Sequence, residues 1–179
     1  MKLDIGSGRS PEPGYVSVDL YTSADVCAPM WSIPIPSESA EEIRCSYALE
    51  HIPRSRVLDT LAEWKRLLKP DGIIKVMVPD LLWACQNFIS APGIGRSMDY
   101  IYGGQSEPGD FHKMGFTDRI MRDYCDQAGL VVVQVGHNQD NHFENLVFHI
   151  RKSGTWAEAP KVDDVPKPRP PDPSKKWRR

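Results

Sequence analysis

The chain has 179 residues and a mass of 20.2 kDa, enough for one domain. With 40% hydrophobic and 26% charged residues it can bury a core, which excludes a collagen-like, coiled-coil or wholly disordered chain. The net charge of −2 hides an asymmetry: residues 157–179 hold seven of the 22 Lys/Arg and four of the 24 Asp/Glu, so the preceding part is mildly acidic and ill suited to gripping nucleic acid by charge.

The opening Met1-Lys2-Leu3-Asp4-Ile5-Gly6 turns polar too quickly for a secretory signal. No later run approaches the roughly 20 apolar residues of a membrane span. Cys27, Cys45, Cys85 and Cys125 are far apart and form no CxxC pair, so reduced thiols in a cytoplasmic protein are expected. Residues 2–5 and 15–19 are short β-rich runs bounded by turn residues, and residues 24–28 and 42–46 are similar. Only Gly6 to Gly14 separates the first two runs, and Pro11 and Pro13 forbid a regular helix there. The first crossover is therefore expected to be an extended link. An amphipathic helix follows, with Ser55 as its cap and Val57, Leu58, Leu61, Trp64, Leu67 and Leu68 on one face. Lys69-Pro70-Asp71-Gly72 is expected to end it, and residues 73–78 read as a buried strand. Thr117 is placed to cap a second helix that carries Ile120, Met121, Tyr124, Cys125 and Ala128 on one face and stops at Gly129. Residues 130–135 and 145–150 are two further strands, close enough to pair antiparallel. Alternating strands and helices imply a mainly parallel sheet. From residue 153 the chain becomes a Pro-rich, basic extension that is expected to be loosely packed or mobile.

The strongest site signal is Leu3-Asp4-Ile5-Gly6-Ser7-Gly8 followed by Asp19. A strand that ends in Gly-x-Gly turns sharply and admits a ligand without Cβ clashes. Ligands of open α/β sheets lie beyond the carboxyl ends of the strands, and Asp19 ends the second strand there. Its carboxylate is suited to accept hydrogen bonds from the hydroxyls of a ribose. Asp4 either orients the loop or accepts from a ligand ammonium group.

LDIGSG, PGYVSVDL, IRCSYALEHI and LAEWKRLLKPDGIIKVMVPD, in that order, resemble the class I S-adenosylmethionine-dependent methyltransferases, most closely a compact branch in which a PGYxxVDL link replaces the first helix. The likeness covers residues 2–82 firmly and continues loosely to about residue 150. It implies a Rossmann-like α/β domain over residues 1–152 with a seven-strand sheet in the order 3-2-1-4-5-7-6, strand 7 antiparallel and the first crossover helix reduced or absent. It also implies S-adenosyl-L-methionine as cofactor, with S-adenosyl-L-homocysteine as product. By the same resemblance Asp4, Gly6, Ser7 and Gly8 cradle the methionine part and the ribose edge, Asp19 holds the ribose diol, and Leu20 packs on adenine. Cys45 and Ser46 face the methionine moiety through their backbone, and Tyr47 covers the sulfonium side. Where the family has a third Gly-like residue this chain has Ser10-Pro11. Where many members carry an adenine-binding Asp it has Pro29-Met30-Trp31, which leaves adenine to backbone near Met30 and to the Trp31 ring. A nicotinamide dinucleotide fits less well, because its pyrophosphate needs the third glycine and the helix N-terminus that Pro11 and Pro13 displace.

Methyl transfer needs a base only for a hydroxyl or protonated amine acceptor, and the candidates are His51, Asp80 and His112. Asp80 is equally placed to cap a helix over residues 81–88. The Gly- and aromatic-rich segment 100–116 offers Tyr102, Gln105 and Phe116 to an acceptor. His137, His142 and His149 lack metal-ligand spacing, so no metal is expected. The leading expectation is a monomeric or homodimeric enzyme that methylates an O or N of a small molecule, with sugars and metabolites as the class. The alternatives are a non-catalytic cofactor-binding module that docks through its tail, and a nucleic-acid methyltransferase. The second lacks the Asp/Asn-Pro-Pro-aromatic motif and a basic surface.

Overall fold

A computed structural model of the chain describes residues 1–90, 96–107, 109–140 and 143–154. Most of the expected extension and His142 lie outside the described residues. Seven strands form one sheet: β1 (Lys2–Ile5), β2 (Val16–Asp19), β3 (Val26–Cys27), β4 (Ala40–Ser46), β5 (Leu68–Pro79), β6 (Leu130–Asp140) and β7 (Phe143–Lys152). Their order is β3-β2-β1-β4-β5-β7-β6. The first five pair in parallel, and β7 runs antiparallel to both β5 and β6. Among the described residues four α-helices accompany them: α1 (Val57–Leu67), α2 (Leu81–Ser90), α3 (Arg96–Tyr102) and α4 (Asp118–Ala128). No described helix is long and apolar enough to cross a membrane.

The link from β1 to β2 contains no helix, as its prolines require. A buried carboxylate organises it instead. Asp4 is 1% exposed, and its Oδ2 accepts from the Glu12 amide at 2.9 Å while its Oδ1 accepts from the Arg44 guanidinium at 2.8 Å. A charge this deep must be paired and hydrogen-bonded, and the two partners tie the link to β4.

Helix α1 buries Val57, Thr60, Leu61, Trp64 and Leu67, the periodic face seen in the sequence. Its ends differ from expectation. Ser55 lies inside a 3-10 turn over Arg54–Arg56, and the residue at the N-cap is Arg56, without a side-chain cap bond. The helix stops at Leu67, one residue before the last apolar position of its stripe. Leu68 is already extended and pairs with Ala40 of β4. Its fully buried side chain serves the sheet, so Lys69–Gly72 extends β5 rather than forming a loop. The α4 signals stand as read: Thr117 Oγ1 accepts from the Ile120 amide at 3.2 Å, and Gly129 closes the helix at a φ of +69°. Strands β6 and β7 run longer than the sequence suggested, because every residue of β7 finds a ladder partner in β6, with Val133 bulged between Val132 and Gln134. Helix α3 carried no clear signal in its seven residues.

The segment between β3 and β4 has little secondary structure of its own and is held by α1. Trp64, fully buried, donates its indole N–H to the Met30 carbonyl at 3.1 Å. Glu63 accepts from the Ile33 amide, and Arg66 donates to the Ile33 and Ile35 carbonyls. These bonds fix one wall of the region beyond the strand ends.

Candidate active site

The carboxyl ends of β1 and β2 meet at Gly8 and Asp19. The Gly8 amide donates to Asp19 Oδ2 at 2.9 Å. Asp19 Oδ1 accepts from the Tyr21 and Thr22 amides at 2.8 and 2.9 Å. Burial pushes the Asp19 carboxyl up, but the Tyr21, Gly8 and Thr22 amides outweigh it and hold the group below its ordinary value. A carboxylate has about four lone-pair sites, and three are taken. One site on Oδ2 is left for a ligand hydroxyl.

The two glycines of the turn do different work. Gly6 has a φ of +71°, and a Cβ there would meet Ala48 Cβ at 2.3 Å and Met30 Cε at 3.6 Å. It is small so that the first loop packs against the segment after β4. Gly8 has a φ of +58° and nothing within 4 Å of the Cβ position. The open space that a ligand can enter is at Gly8. Between them the Ser7 hydroxyl is buried without a hydrogen-bond partner among the described residues. An orphaned hydroxyl and an open glycine beside a carboxylate with a spare acceptor site fit a polar ligand that carries a diol.

Around this corner, Leu20 is 39% exposed and open to a flat apolar group. Met30 and Trp31 are half-buried against the core, and the Arg56 guanidinium lies 5.5 Å from the Trp31 ring centroid. The Met30 carbonyl accepts from the Trp64 indole N–H at 3.1 Å, which fixes the backbone there. Asp4 accepts one bond on each oxygen, from the Glu12 amide and from Arg44, and these bonds orient the loop. The Cys45 side chain is fully buried and Ser46 half-buried at the end of β4. Tyr47 follows with a φ of +52°, its amide bonded to the Met77 carbonyl at 2.9 Å. That left-handed residue turns the chain sharply off β4 into the 3-10 turn Leu49–His51.

The turn delivers His51 to His112. Their ring centroids are 4.9 Å apart and the rings meet edge to face at 73°. His51 Nδ1 lies 3.2 Å from the Phe111 carbonyl, and His112 Nδ1 lies 2.9 Å from the Tyr100 carbonyl. A carbonyl oxygen only accepts, so each Nδ1 carries the proton and each Nε2 keeps its lone pair. Burial lowers the pKa of both rings. His112 lowers His51 further against the opposing Phe111 carbonyl, and His112 is opposed by the Tyr100 carbonyl and Asp110. Both imidazoles are therefore neutral acceptors near neutral pH.

Segment 103–114 is built to hold His112 there. A Cβ at Gly103 would lie 1.9 Å from the Asp110 carbonyl oxygen, so the glycine lets the loop fold back on itself. Lys113 and Met114 donate their amides to the Glu50 carbonyl at 2.8 and 3.1 Å. Arg9 of the first loop reaches Glu107 at 3.3 Å, which places the segment beside the glycine turn. Tyr102 is 51% exposed, and Gln105 is exposed at a φ of +57°.

Two expected residues fall elsewhere. Phe116 is fully buried in the core and pairs with Asp80 as an isolated bridge, so its ring cannot line an acceptor pocket. Asp80 is 2% exposed, and its Oδ1 accepts from the Leu82 and Trp83 amides at 2.9 and 3.3 Å. It caps α2. Burial raises its pKa against those two amides, a cost that the cap offsets. The group that sequence reasoning left as structural is Glu50. It is 1% exposed, and neither carboxylate oxygen has a hydrogen-bond partner among the described residues. Burial pushes its pKa up to about 8, against its own backbone amide. Its sequence position beside His51 was visible; its burial was not.

Residues 3–76 match the family model described as a methyltransferase domain. The chain carries an S-adenosylmethionine-dependent methyltransferase fold. Among solved structures, the domain is similar to a Burkholderia thailandensis 1,6-didemethyltoxoflavin N1-methyltransferase with bound 1,6-didemethyltoxoflavin and S-adenosylhomocysteine. The TM-score is 0.63 at 19% identity, over 85% of this chain and 70% of that one. It is also similar to a Methanosarcina mazei S-adenosylmethionine-dependent methyltransferase, with a TM-score of 0.62 at 14% identity over 85% and 92% of the two chains. A Clostridium acetobutylicum S-adenosylmethionine-dependent methyltransferase gives 0.60 at 10% identity over 86% and 84%. No curated protein matches the chain by sequence.

Proposed function

We propose that this methyltransferase domain transfers a methyl group from S-adenosylmethionine to an oxygen or nitrogen of a small molecule, with sugars and metabolites as the class. The observation that carries the proposal is the pair of neutral imidazoles, His51 and His112, which segment 103–114 brings against the end of β4. On the donor side, Asp19 accepts a ribose hydroxyl at its remaining lone pair, Gly8 admits the sugar edge, and Leu20 lies under adenine. Ser7 Oγ and the backbone at Cys45 and Ser46 face the amino-acid end, and Tyr47 covers the sulfonium side. Bound donor supplies an electrophilic methyl group on a positively charged sulfur, so the protein's work is mainly alignment. On the acceptor side, Tyr102 and Gln105 contact the substrate, and an imidazole Nε2 takes the proton of an acceptor hydroxyl or ammonium. A small acceptor is favoured because Arg9 and Glu107, 3.3 Å apart, set the 103–114 segment beside the first loop. The similar Burkholderia enzyme is itself crystallised with a small molecule. The acidic balance of residues 1–156 offers no footprint for nucleic acid. The test is mass spectrometry of a metabolite extract incubated with the protein and a donor carrying an isotopic methyl group. Label is expected in a small molecule and in an amount that depends on active protein. Label confined to RNA, DNA or protein refutes the acceptor class.

A further inference from the structure

Two buried titratable groups stand apart from ordinary core chemistry: Asp80, which is spent on a helix cap, and Glu50, which is spent on nothing. A carboxylate that is 1% exposed without hydrogen bonds is expensive to keep, and proteins resolve such a group with a proton, a cation or a metal ion. What surrounds Glu50 distinguishes these. One carboxylate oxygen of Glu50 and one ring nitrogen from each of His51 and His112 all lie within 4.8 Å of one another. No lysine or arginine is paired with Glu50 among the described residues.

We propose that Glu50, His51 and His112 form a binding site for a divalent transition-metal ion of the zinc class. Two imidazoles and one carboxylate are a recurrent ligand set for such ions, and they leave at least one position open. Both histidines have the outer support that metal-bound imidazoles usually have. Each Nδ1–H is held by a backbone carbonyl, Phe111 for one and Tyr100 for the other, which fixes the tautomer and aims the Nε2 lone pair. The ligands come from two segments that are locked together, because Lys113 and Met114 donate to the Glu50 carbonyl. Ligand atoms around a tetrahedral zinc ion, at about 2.0–2.1 Å, stand roughly 3.3 Å apart. The three groups must close by about 1.5 Å at most, within reach of side-chain rotation. The half-buried histidines give the ion its way in. An ion held there would polarise an acceptor oxygen and lower the pKa of a bound hydroxyl, whose proton would pass to solvent because both Nε2 lone pairs would be on the metal. Metal binding itself does not depend on the methyl-transfer reading.

The experiment is titration of the chelator-stripped full chain with Zn2+ by calorimetry and with Co2+ by visible absorption, followed by X-ray absorption of the zinc-loaded protein. One ion per chain is expected, with a Kd of about 1 µM or below, and a nitrogen/oxygen shell that includes two imidazoles. Glu50→Gln and His112→Gln are each expected to weaken binding by about 100-fold or more. No binding, binding that survives both substitutions, or a sulfur ligand from exposed Cys27 would overturn the site. If the variants fail to fold, the ligand shell of the wild-type protein decides the matter alone. Calorimetry with S-adenosylhomocysteine is the separate check on the donor site. Its failure with zinc binding intact removes the methyl-transfer reading and leaves the metal site standing.

Discussion

Replacing Gly6 and Gly8 one at a time by alanine separates packing from ligand access in the glycine turn. Both residues have positive φ, +71° and +58°, so both alanines incur about 1–2 kcal/mol of backbone strain. Only the Gly6→Ala methyl has a further obstacle. Its Cβ would sit 2.3 Å from Ala48 Cβ, where carbon atoms ordinarily stay about 3.5–4.0 Å apart. Ala48 lies in the chain between Tyr47 and the 3-10 turn, so it cannot swing aside as a flexible side chain would. The first loop or the β4 exit must move by more than about 1 Å, and overpacking of this kind costs about 1–3 kcal/mol. Gly6→Ala is therefore expected to be destabilised by roughly 2–5 kcal/mol and Gly8→Ala by about 1–2 kcal/mol. For a domain of this size a 2 kcal/mol difference lowers Tm by roughly 4–8 °C. Affinity for S-adenosylhomocysteine should show a different pattern. Gly8→Ala fills the open space and weakens binding out of proportion to its small loss of stability. The assay is urea unfolding with calorimetric titration on the same preparations. Equal stability of the two variants, or undiminished affinity in Gly8→Ala, refutes the division of labour between these glycines.

Asp19→Asn keeps the size of the side chain and removes its charge. It is expected to weaken S-adenosylhomocysteine binding by about 10–100-fold, the loss of one charge-assisted bond to a ribose hydroxyl. Calorimetry giving the wild-type affinity removes Asp19 from the donor site. Asp80→Ala should lose about 1 kcal/mol of stability with the α2 cap. Asp80→Asn should restore it and keep kcat, whereas a general base at this position would lose about 100-fold or more. Both site histidines have folded-state pKa values below the ordinary 6.5. A depressed pKa gives stability that is present above the unfolded value and lost as pH falls through the folded one. Stability should accordingly decline on acidification from about pH 6.5, and His112→Gln should flatten that decline. In the metal-free enzyme, kcat/KM is expected to hold at pH 6.5 and to fall only below it. An acid limb above pH 6.5 contradicts the neutral pair.

The geometry of the glycine corner was legible because it is local. Gly-x-Gly, two prolines and an acid at the end of a short strand specify backbone geometry within 19 residues, and the structure brings Gly8 and Asp19 to 2.9 Å. Strand order was also legible, through the resemblance and not through periodicity, since no pattern within β4 or β7 states what lies beside it. Element ends were less so. Leu68 fits the helical stripe of α1 and the sheet equally well on pattern alone, and only its pairing with Ala40 decides. The acceptor side was legible least, because it depends on contacts across the chain. His51 and His112 are far apart in sequence and meet only through the fold of segment 103–114. Phe116 reads as a pocket aromatic among glycines and polar residues, yet it is a core residue under β5. Glu50 reads from sequence as a structural residue beside His51, and nothing short of three-dimensional packing reveals that its carboxylate is sealed in.

The claim on which the rest depends is that the donor sits at the junction of β1 and β2. A crystal structure with S-adenosylhomocysteine tests it most directly. The account predicts a ribose hydroxyl within hydrogen-bond distance of Asp19 Oδ2, the sugar over Gly8, and the sulfur on the side of Tyr47 that leads to His51 and His112. Adenosylhomocysteine bound away from Gly8 and Asp19 would contradict it.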